Sequence, residues 1–400
     1  MGETGRLEIL AVSRLILRHG TEGGLERCFD LIVSGLARRG HRVTTVTTHL
    51  PENTGGAAAL GLCALAVPPT SRGGWRRELR RHVGSLPEPP DVILSNSFAA
   101  SPVAGVDRPI VPIIHGSGLV DLISSLRLLT VGRATPLDIL RQLATVARDS
   151  FPSRLALLRR SVRIVAVSQE TRRSLVKTYG VTSEKIHVIP APAQTAIFYP
   201  GPETPPSRPA PERPLRILTA ATLSRQKGVD LVIDALALLN RREPFCHQLM
   251  IAGDGPEMPR LKSRSDLLAG TSRISFAGSL TQEEIAQQFR QADLFVLATM
   301  REEGFPLVIS ESLASAIPVI ATRVGGNPTA VRDGVDGLLV RPGSAPALAE
   351  AVTRLAEDVE LRSRMAQNAR ARALAALDVD VVAAQVEQVL YEAVSARQHR

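Results

Sequence analysis

Short aliphatic and β-branched runs alternate along the chain with longer segments whose apolar side chains recur at helical spacing. Continuous apolar runs suit strands of a parallel sheet covered on both faces, and the longer spacing suits one face of a helix. In the first half the pattern predicts strands at 7–12, 43–47, 91–94, 110–114, 163–167 and 187–189. Helices are expected at 25–39 and 169–179, closed by Gly40 and Gly180. From 200 to 214 the sequence is dense in proline, which excludes helix and central strand and predicts an extended linker. The alternation then restarts, with strands at 215–220, 248–252, 274–277, 294–297, 319–321 and 337–340. Helices are expected at 229–239, 282–292, 307–316, 345–357 and 360–374, and a last one at 379–396 has no strand after it. This order predicts an α/β chain of two doubly wound domains, 1–200 and 201–379. A ligand is then expected in a cleft beyond the C-terminal ends of their strands.

Composition narrows the function. The 400 residues are enough for two or three cores, and 44% hydrophobic with 22% charged residues is ordinary for a soluble globular chain. Aromatics make up 3%, with Trp75 the one tryptophan, which argues against the stacking platforms of nucleic-acid binders. A formal charge of +9 favours anionic partners: phosphorylated substrates, nucleic acid or an acidic membrane surface. The excess of arginine over lysine, with abundant Ala, Pro and Gly, reads mainly as base-composition bias, which weakens the charge as a functional sign. Cys28, Cys63 and Cys246 are far apart, without metal spacing, which argues against a zinc site or a disulfide framework. The charged N-terminus and the lack of a long apolar run predict a cytoplasmic protein, with the inner face of a membrane as a further location.

The densest candidate chemistry lies in Arg-Glu-Glu-Gly-Phe-Pro-Leu-Val-Ile-Ser-Glu, 301–311. Pro306 suits a first helical turn, and the apolar residues after it predict a deeply buried helix carrying Glu311. A buried carboxylate is costly unless it is paired or binds something, so Glu303 and Glu311 suit either a hydroxyl-rich ligand or a structural ion pair. Gly23-Gly24 opens the first helix, where backbone N–H groups can approach an anion. Arg225 and Lys227, in the turn 224–228, can hold a diphosphate or form an ordinary basic turn. His115 ends a strand and can face a ligand or serve structurally. Gly253-Asp254-Gly255 lacks the third glycine of a dinucleotide fingerprint, and Asp378-Val379-Asp380 reads as helix capping rather than a metal motif. Gly325-Gly326 forms a second tight loop after a strand. The arginine-rich stretches 75–83 and 126–160 are candidates for an anionic membrane surface or are plain surface helices.

Taken in order, these segments resemble the large retaining glycosyltransferase family four, with its two-domain GT-B fold. Those that carry the likeness are Leu-Ser-Arg-Gln-Lys-Gly, Ala-Gly-Asp-Gly-Pro, Phe-Ala-Gly-Ser-Leu, Ala-Asp-Leu-Phe-Val-Leu, Glu-Gly-Phe-Pro-Leu-Val-Ile-Ser-Glu, Pro-Val-Ile-Ala-Thr and Asp-Gly-Leu-Leu-Val, between 215 and 340. Gly-Gly-Leu-Glu-Arg and Ile-His-Gly match more loosely in the first half. The resemblance implies two Rossmann-like domains facing each other across a cleft, with the helix at about 380–400 packed back on the first. It implies sugar transfer from a nucleotide-diphosphate sugar to a hydroxyl acceptor (saccharide, lipid-linked or secondary metabolite), with no cofactor and no metal.

The resemblance also assigns roles. Glu303 contacts hydroxyls of the donor sugar and Glu311 the ribose; Lys227 neutralises the diphosphate, with Arg225 beside it. Gly304, Phe305, Pro306 and Leu307 offer backbone to donor sugar or phosphate, and Gly253 lies on the nucleotide side. Gly23, Gly24 and His115 approach from the first domain. Thr222 stands where the family commonly has arginine, Ala191-Pro192 where it has Asn-Gly, Ala316 where it has Gly and Thr329 where it has Glu. A nucleotide-sugar epimerase, or a silent nucleotide-sugar-binding protein, are the competing expectations.

Overall fold

The structure is a computed structural model that describes residues 5–13, 24–48, 60–65, 72–116, 151–202, 214–240, 247–268 and 273–398, with scattered positions between 126 and 140. The described residues form two compact units. One takes its residues from Met1–Val120, Arg141–Pro192 and Val379–Arg400, the other from Asp121–Leu140 and Ala193–Asp378.

The first unit is built on seven parallel strands, β1 (Glu8–Val12), β2 (Arg42–Thr47), β3 (Leu60–Ala64), β4 (Val92–Asn96), β5 (Ile110–Ile114), β6 (Ile164–Ala166) and β7 (Ile186–Val188). Their order is β3-β2-β1-β4-β5-β6-β7. Every residue of β5 is buried, as a strand covered on both faces requires. The helices are α1 (Gly24–Arg38), α2 (Arg72–Gly84), α3 (Phe151–Arg160) and α4 (Gln169–Tyr179). Ser168 caps α4 at its start and Gly180, at φ 62°, ends it.

The second unit has six parallel strands, β8 (Arg216–Ala220), β9 (Gln248–Ala252), β10 (Arg273–Gly278), β11 (Leu294–Leu297), β12 (Val319–Thr322) and β13 (Gly337–Val340). Their order, β10-β9-β8-β11-β12-β13, reverses between β8 and β11. The helices are α5 (Val229–Asn240), α6 (Met258–Leu268), α7 (Gln282–Gln291), α8 (Leu307–Ala314), the single turn α9 (Asn327–Ala330), α10 (Ala345–Glu357) and α11 (Val359–Arg372). Both sheets are doubly wound, and the fold is Rossmann-like in each unit.

The chain enters the second unit at Ala193, whose N–H donates to Leu377 O at 2.7 Å. It returns to the first unit in α12 (Val379–Gln398). There α12 packs along α1, with Arg38 on Asp380 at 2.7 Å and His41 Nε2 on Glu387 at 2.7 Å. Gly35 permits the approach, because a Cβ on it would lie 2.6 Å from Ala383 Cβ.

Three elements differ from expectation. Gly61 interrupts the run that forms β3, so its pattern hides an edge strand. In α6 only Leu261 and Ser265 are buried, a stripe too narrow to reveal the helix by periodicity. Helix α8 is buried as expected but ends at Ala314, two residues earlier than the apolar run suggests. Ala316 N–H donates to Leu313 O and Ile317 N–H to Ser312 O, a Schellman closure with Ala316 at φ 59°. Pro306 is the cap of α8 rather than its first helical residue.

Gly35→Ala separates propensity from packing. Alanine gains roughly 1 kcal/mol over glycine inside a helix, whereas overpacking costs about 1–3 kcal/mol. We expect a net loss of roughly 1 kcal/mol in urea unfolding; a stabilised variant would show that α1 and α12 are not held this tightly.

Candidate functional site

The reversal in strand order between β8 and β11 is where doubly wound sheets bind ligands, beyond the strand C-termini. Leaving β8, the chain is clamped by the neighbouring loop. Leu223 N–H donates to Asp254 O at 2.9 Å and Glu257 N–H to Leu223 O at 3.0 Å. Gly253 and Gly255 make that clamp possible, since Cβ atoms on them would lie 2.0 Å from Ala221 O and 2.5 Å from Leu223 O. Arg225–Lys227 then forms one 3₁₀ turn, stopped by Gly228 at φ 65°. Gly228 presses on β11, its absent Cβ only 2.3 Å from Ala298 O.

The loop after β11 is tied on both sides. Met300 N–H donates to Gln226 O at 2.7 Å, joining it to the basic turn. Gly326 N–H donates to Glu303 O at 2.7 Å, joining it to the loop after β12. A Cβ on Gly326 would stand 1.6 Å from Gly304 O, so the second Gly-Gly pair is a backbone-to-backbone seat for Glu303. Buried Thr322 donates to Thr299 O, and buried Asn327 donates to Thr322 O at 2.8 Å. Thr299, Thr322 and Asn327 were not singled out in the sequence; the signal for the two threonines is a polar side chain where an apolar strand ends.

These ties bring Lys227 Nζ to 2.8 Å from Glu303 Oε1. Burial pushes the Glu303 carboxyl upward, but the charge and hydrogen bond of Lys227, a hydrogen bond with Thr299 and the charge of Arg301 outweigh it. The net position is below the ordinary carboxylate range, so Glu303 is ionised. Gly304 follows, half-buried, Phe305, Pro306 and Leu307 are buried, and Glu311 is 4% exposed within α8. Arg225 turns instead to Glu257, at 3.2 Å, and Gly253 supports the turn through its backbone.

In the first unit, Gly24 is the first residue of α1, while Gly23 lies outside the described residues. His115 follows β5 and is 6% exposed. Its Nε2 has no hydrogen-bond partner among the described residues. Burial pushes the ring down to about 4 from 6.5, so it is neutral near pH 7. Asp378 accepts from Thr195 and Asp380 pairs with Arg38, so the two carboxylates of the Asp-x-Asp serve structure.

The His115 shift has a stability consequence. The unfolded ring takes its proton near pH 6.5 and the folded ring only near 4. Stability from this site is therefore full above pH 6.5 and declines as pH falls towards 4, by roughly 3 kcal/mol in total. His115→Gln should flatten the pH dependence of unfolding across that window; parallel curves for parent and variant would contradict a buried neutral ring.

Two family models match the chain, "Glycosyltransferase Family 4" over residues 22–196 and "Glycosyl transferases group 1" over residues 202–372. Among curated relatives, the alpha-D-kanosaminyltransferase of Streptomyces kanamyceticus is 37% identical over 40% of this chain and 40% of its own length. The D-inositol 3-phosphate glycosyltransferase of Nocardia farcinica is 29% identical over 74% of this chain and 65% of its own. The matched segments thus span less than two thirds of these relatives. Anabaena Alr3699/HepE, solved with UDP and glucose, superposes with a TM-score of 0.71 at 19% identity, covering 96% of this chain and 100% of that one. That likeness carries the fold, which is GT-B. With one model matching most of each half, the chain belongs to the family 4, group 1 glycosyltransferases.

Proposed function

We propose that the protein transfers a sugar from a nucleoside-diphosphate sugar to a hydroxyl acceptor, with retention at the anomeric carbon. The observation that carries this reading is the half-buried Lys227–Glu303 pair, 2.8 Å apart, at the strand reversal of the second sheet. Lys227 neutralises the diphosphate. Glu303, ionised, accepts hydrogen bonds from donor-sugar hydroxyls, and Glu311 takes the ribose hydroxyls. Backbone amides of the segment from Gly304 to Leu307 face the donor. His115, neutral, bonds a sugar hydroxyl without adding charge.

No nucleophile of the protein is needed. The acceptor oxygen bonds to the anomeric carbon on the face from which the phosphate departs, and the departing phosphate oxygen takes the acceptor's proton. Catalysis is then positioning and charge stabilisation by the chain's own cations, without a metal. The UDP and glucose held by Alr3699/HepE support a nucleotide-sugar donor. The name of one curated relative, D-inositol 3-phosphate glycosyltransferase, supports a polyhydroxylated acceptor.

A panel of nucleotide sugars, scored by thermal shift and by acceptor-dependent release of nucleoside diphosphate, tests the reading. One donor should raise the melting temperature by a few degrees, and Glu303→Ala should lower turnover by about a hundredfold or more. Binding by no nucleotide sugar, or full turnover in Glu303→Ala, would overturn it.

An anionic membrane surface belongs to the same proposal. Trp75 and Leu79 of α2 are buried, while Arg76, Arg77, Arg80 and Arg81 face solvent. Much of 126–160 lies outside the described residues. The protein should sediment with phosphatidylserine-containing vesicles more than with neutral ones, and Arg77→Glu with Arg81→Glu should reduce this. Equal binding to both vesicle types would reject the membrane as a partner.

A further inference from the structure

A nucleotide sugar brings a negative charge on each phosphate, and the site must answer both. Lys227 does not suffice, because its charge is already matched by Glu303 at 2.8 Å. As it stands, that pair is close to neutral. Arg225, the other cation of the basic turn, is bound to Glu257 at 3.2 Å. Glu257 also holds Arg260 at 2.7 Å, and Arg260 lies 3.9 Å from Asp230, so two arginines face two carboxylates. Arg323, after β12, is tied to Asp333.

Arg301 is placed differently. Its neighbour Met300 donates to Gln226 O at 2.7 Å, the residue before Lys227. Its own N–H donates to Thr299 Oγ1 at 3.3 Å. Two residues on, Glu303 is seated by Gly326. The backbone is therefore held on both sides of Arg301, and the held segment borders the basic turn. The side chain is half-buried, and among the described residues it has no carboxylate at ion-pair distance. Its charge also helps to keep Glu303 ionised, which places it within electrostatic reach of the pair.

We propose that Arg301 is the second cation of the diphosphate site, completing with Lys227 a clamp that Lys227–Glu303 alone leaves without net charge. This rests on the donor reading above. The guanidinium offers paired donors to phosphate oxygens, which a lysine cannot reproduce. The same geometry accounts for Thr222: the turn lacks an arginine there, and the neighbouring loop carries one.

Isothermal titration with UDP and GDP tests the assignment, using whichever the parent binds. Arg301→Ala should weaken the nucleoside diphosphate by roughly ten- to a hundredfold, with an unchanged melting temperature and a shallower salt dependence. Arg301→Lys should recover part of the loss. Arg323→Ala, which also removes a positive charge near the strand ends, should stay within about threefold of the parent. Parental affinity in Arg301→Ala, or an equal loss in Arg323→Ala, overturns the role of Arg301 while leaving the donor reading intact. A parent that binds neither diphosphate overturns both. Should Arg301→Ala not fold, Arg301→Lys decides, since parental affinity there would refute paired recognition.

Discussion

Four loops of the second unit, those after β8, β9, β11 and β12, meet their neighbours backbone to backbone, with no room for a side chain between them. The loop after β9 sits on the chain leaving β8 through Gly253 and Gly255, the basic turn sits on β11 through Gly228, and the loop after β12 sits on Glu303 and Gly304 through Gly325 and Gly326. Peptide groups at this distance have few arrangements open to them, because each N–H and C=O must also be satisfied. That requirement is met by Leu223 to Asp254, Met300 to Gln226 and Gly326 to Glu303. The positions of Lys227 and Glu303 follow from this packing. Their 2.8 Å contact is a consequence of where the backbone runs, more than a cause of it.

The two carboxylates of the 301–311 segment differ because their supports differ. Glu303 stands in a loop, half-buried, beside a cation that keeps it ionised. Glu311 stands on a helix with seven of its eight residues buried, so its direction is set by core packing. A carboxylate on α8 cannot move without shifting the core.

The doubly wound architecture was legible because most strands are plain: 110–114, 248–252, 294–297 and, at a sheet edge, 337–340 are found at the expected residues. Where the pattern misled, burial explains it. β3 lies at a sheet edge and is broken by Gly61, and α6 buries only two residues. At the site, charged residues in a glycine-bounded turn were visible as candidates, but the pairing of Lys227 with Glu303 was not. It spans 76 residues and depends on strand order. Thr299, Thr322 and Asn327 were not singled out because their roles depend on the folded loops: Thr322 ties the end of β12 to the segment after β11, and Asn327 ties the start of α9 back to Thr322.

Departures from the family pattern can be sorted by whether they alter shape or charge. Ala316 alters shape: it occupies φ 59°, where an L-residue costs roughly 1–2 kcal/mol, yet the Schellman bonds around it are formed and Ile317 is fully buried. The core at the end of α8 therefore holds a conformation that its own residue disfavours. Thr222 is the opposite case. It is exposed, and the path of its loop is set by Gly253, Gly255 and Asp254, so its side chain does not determine the backbone. A charge can be absent from that position without the turn moving. Because Met300 binds that same turn through its backbone, a charge on the following residue is delivered to the same strand ends by a different loop. Backbone packing holds the geometry constant while the cations that act within it change position.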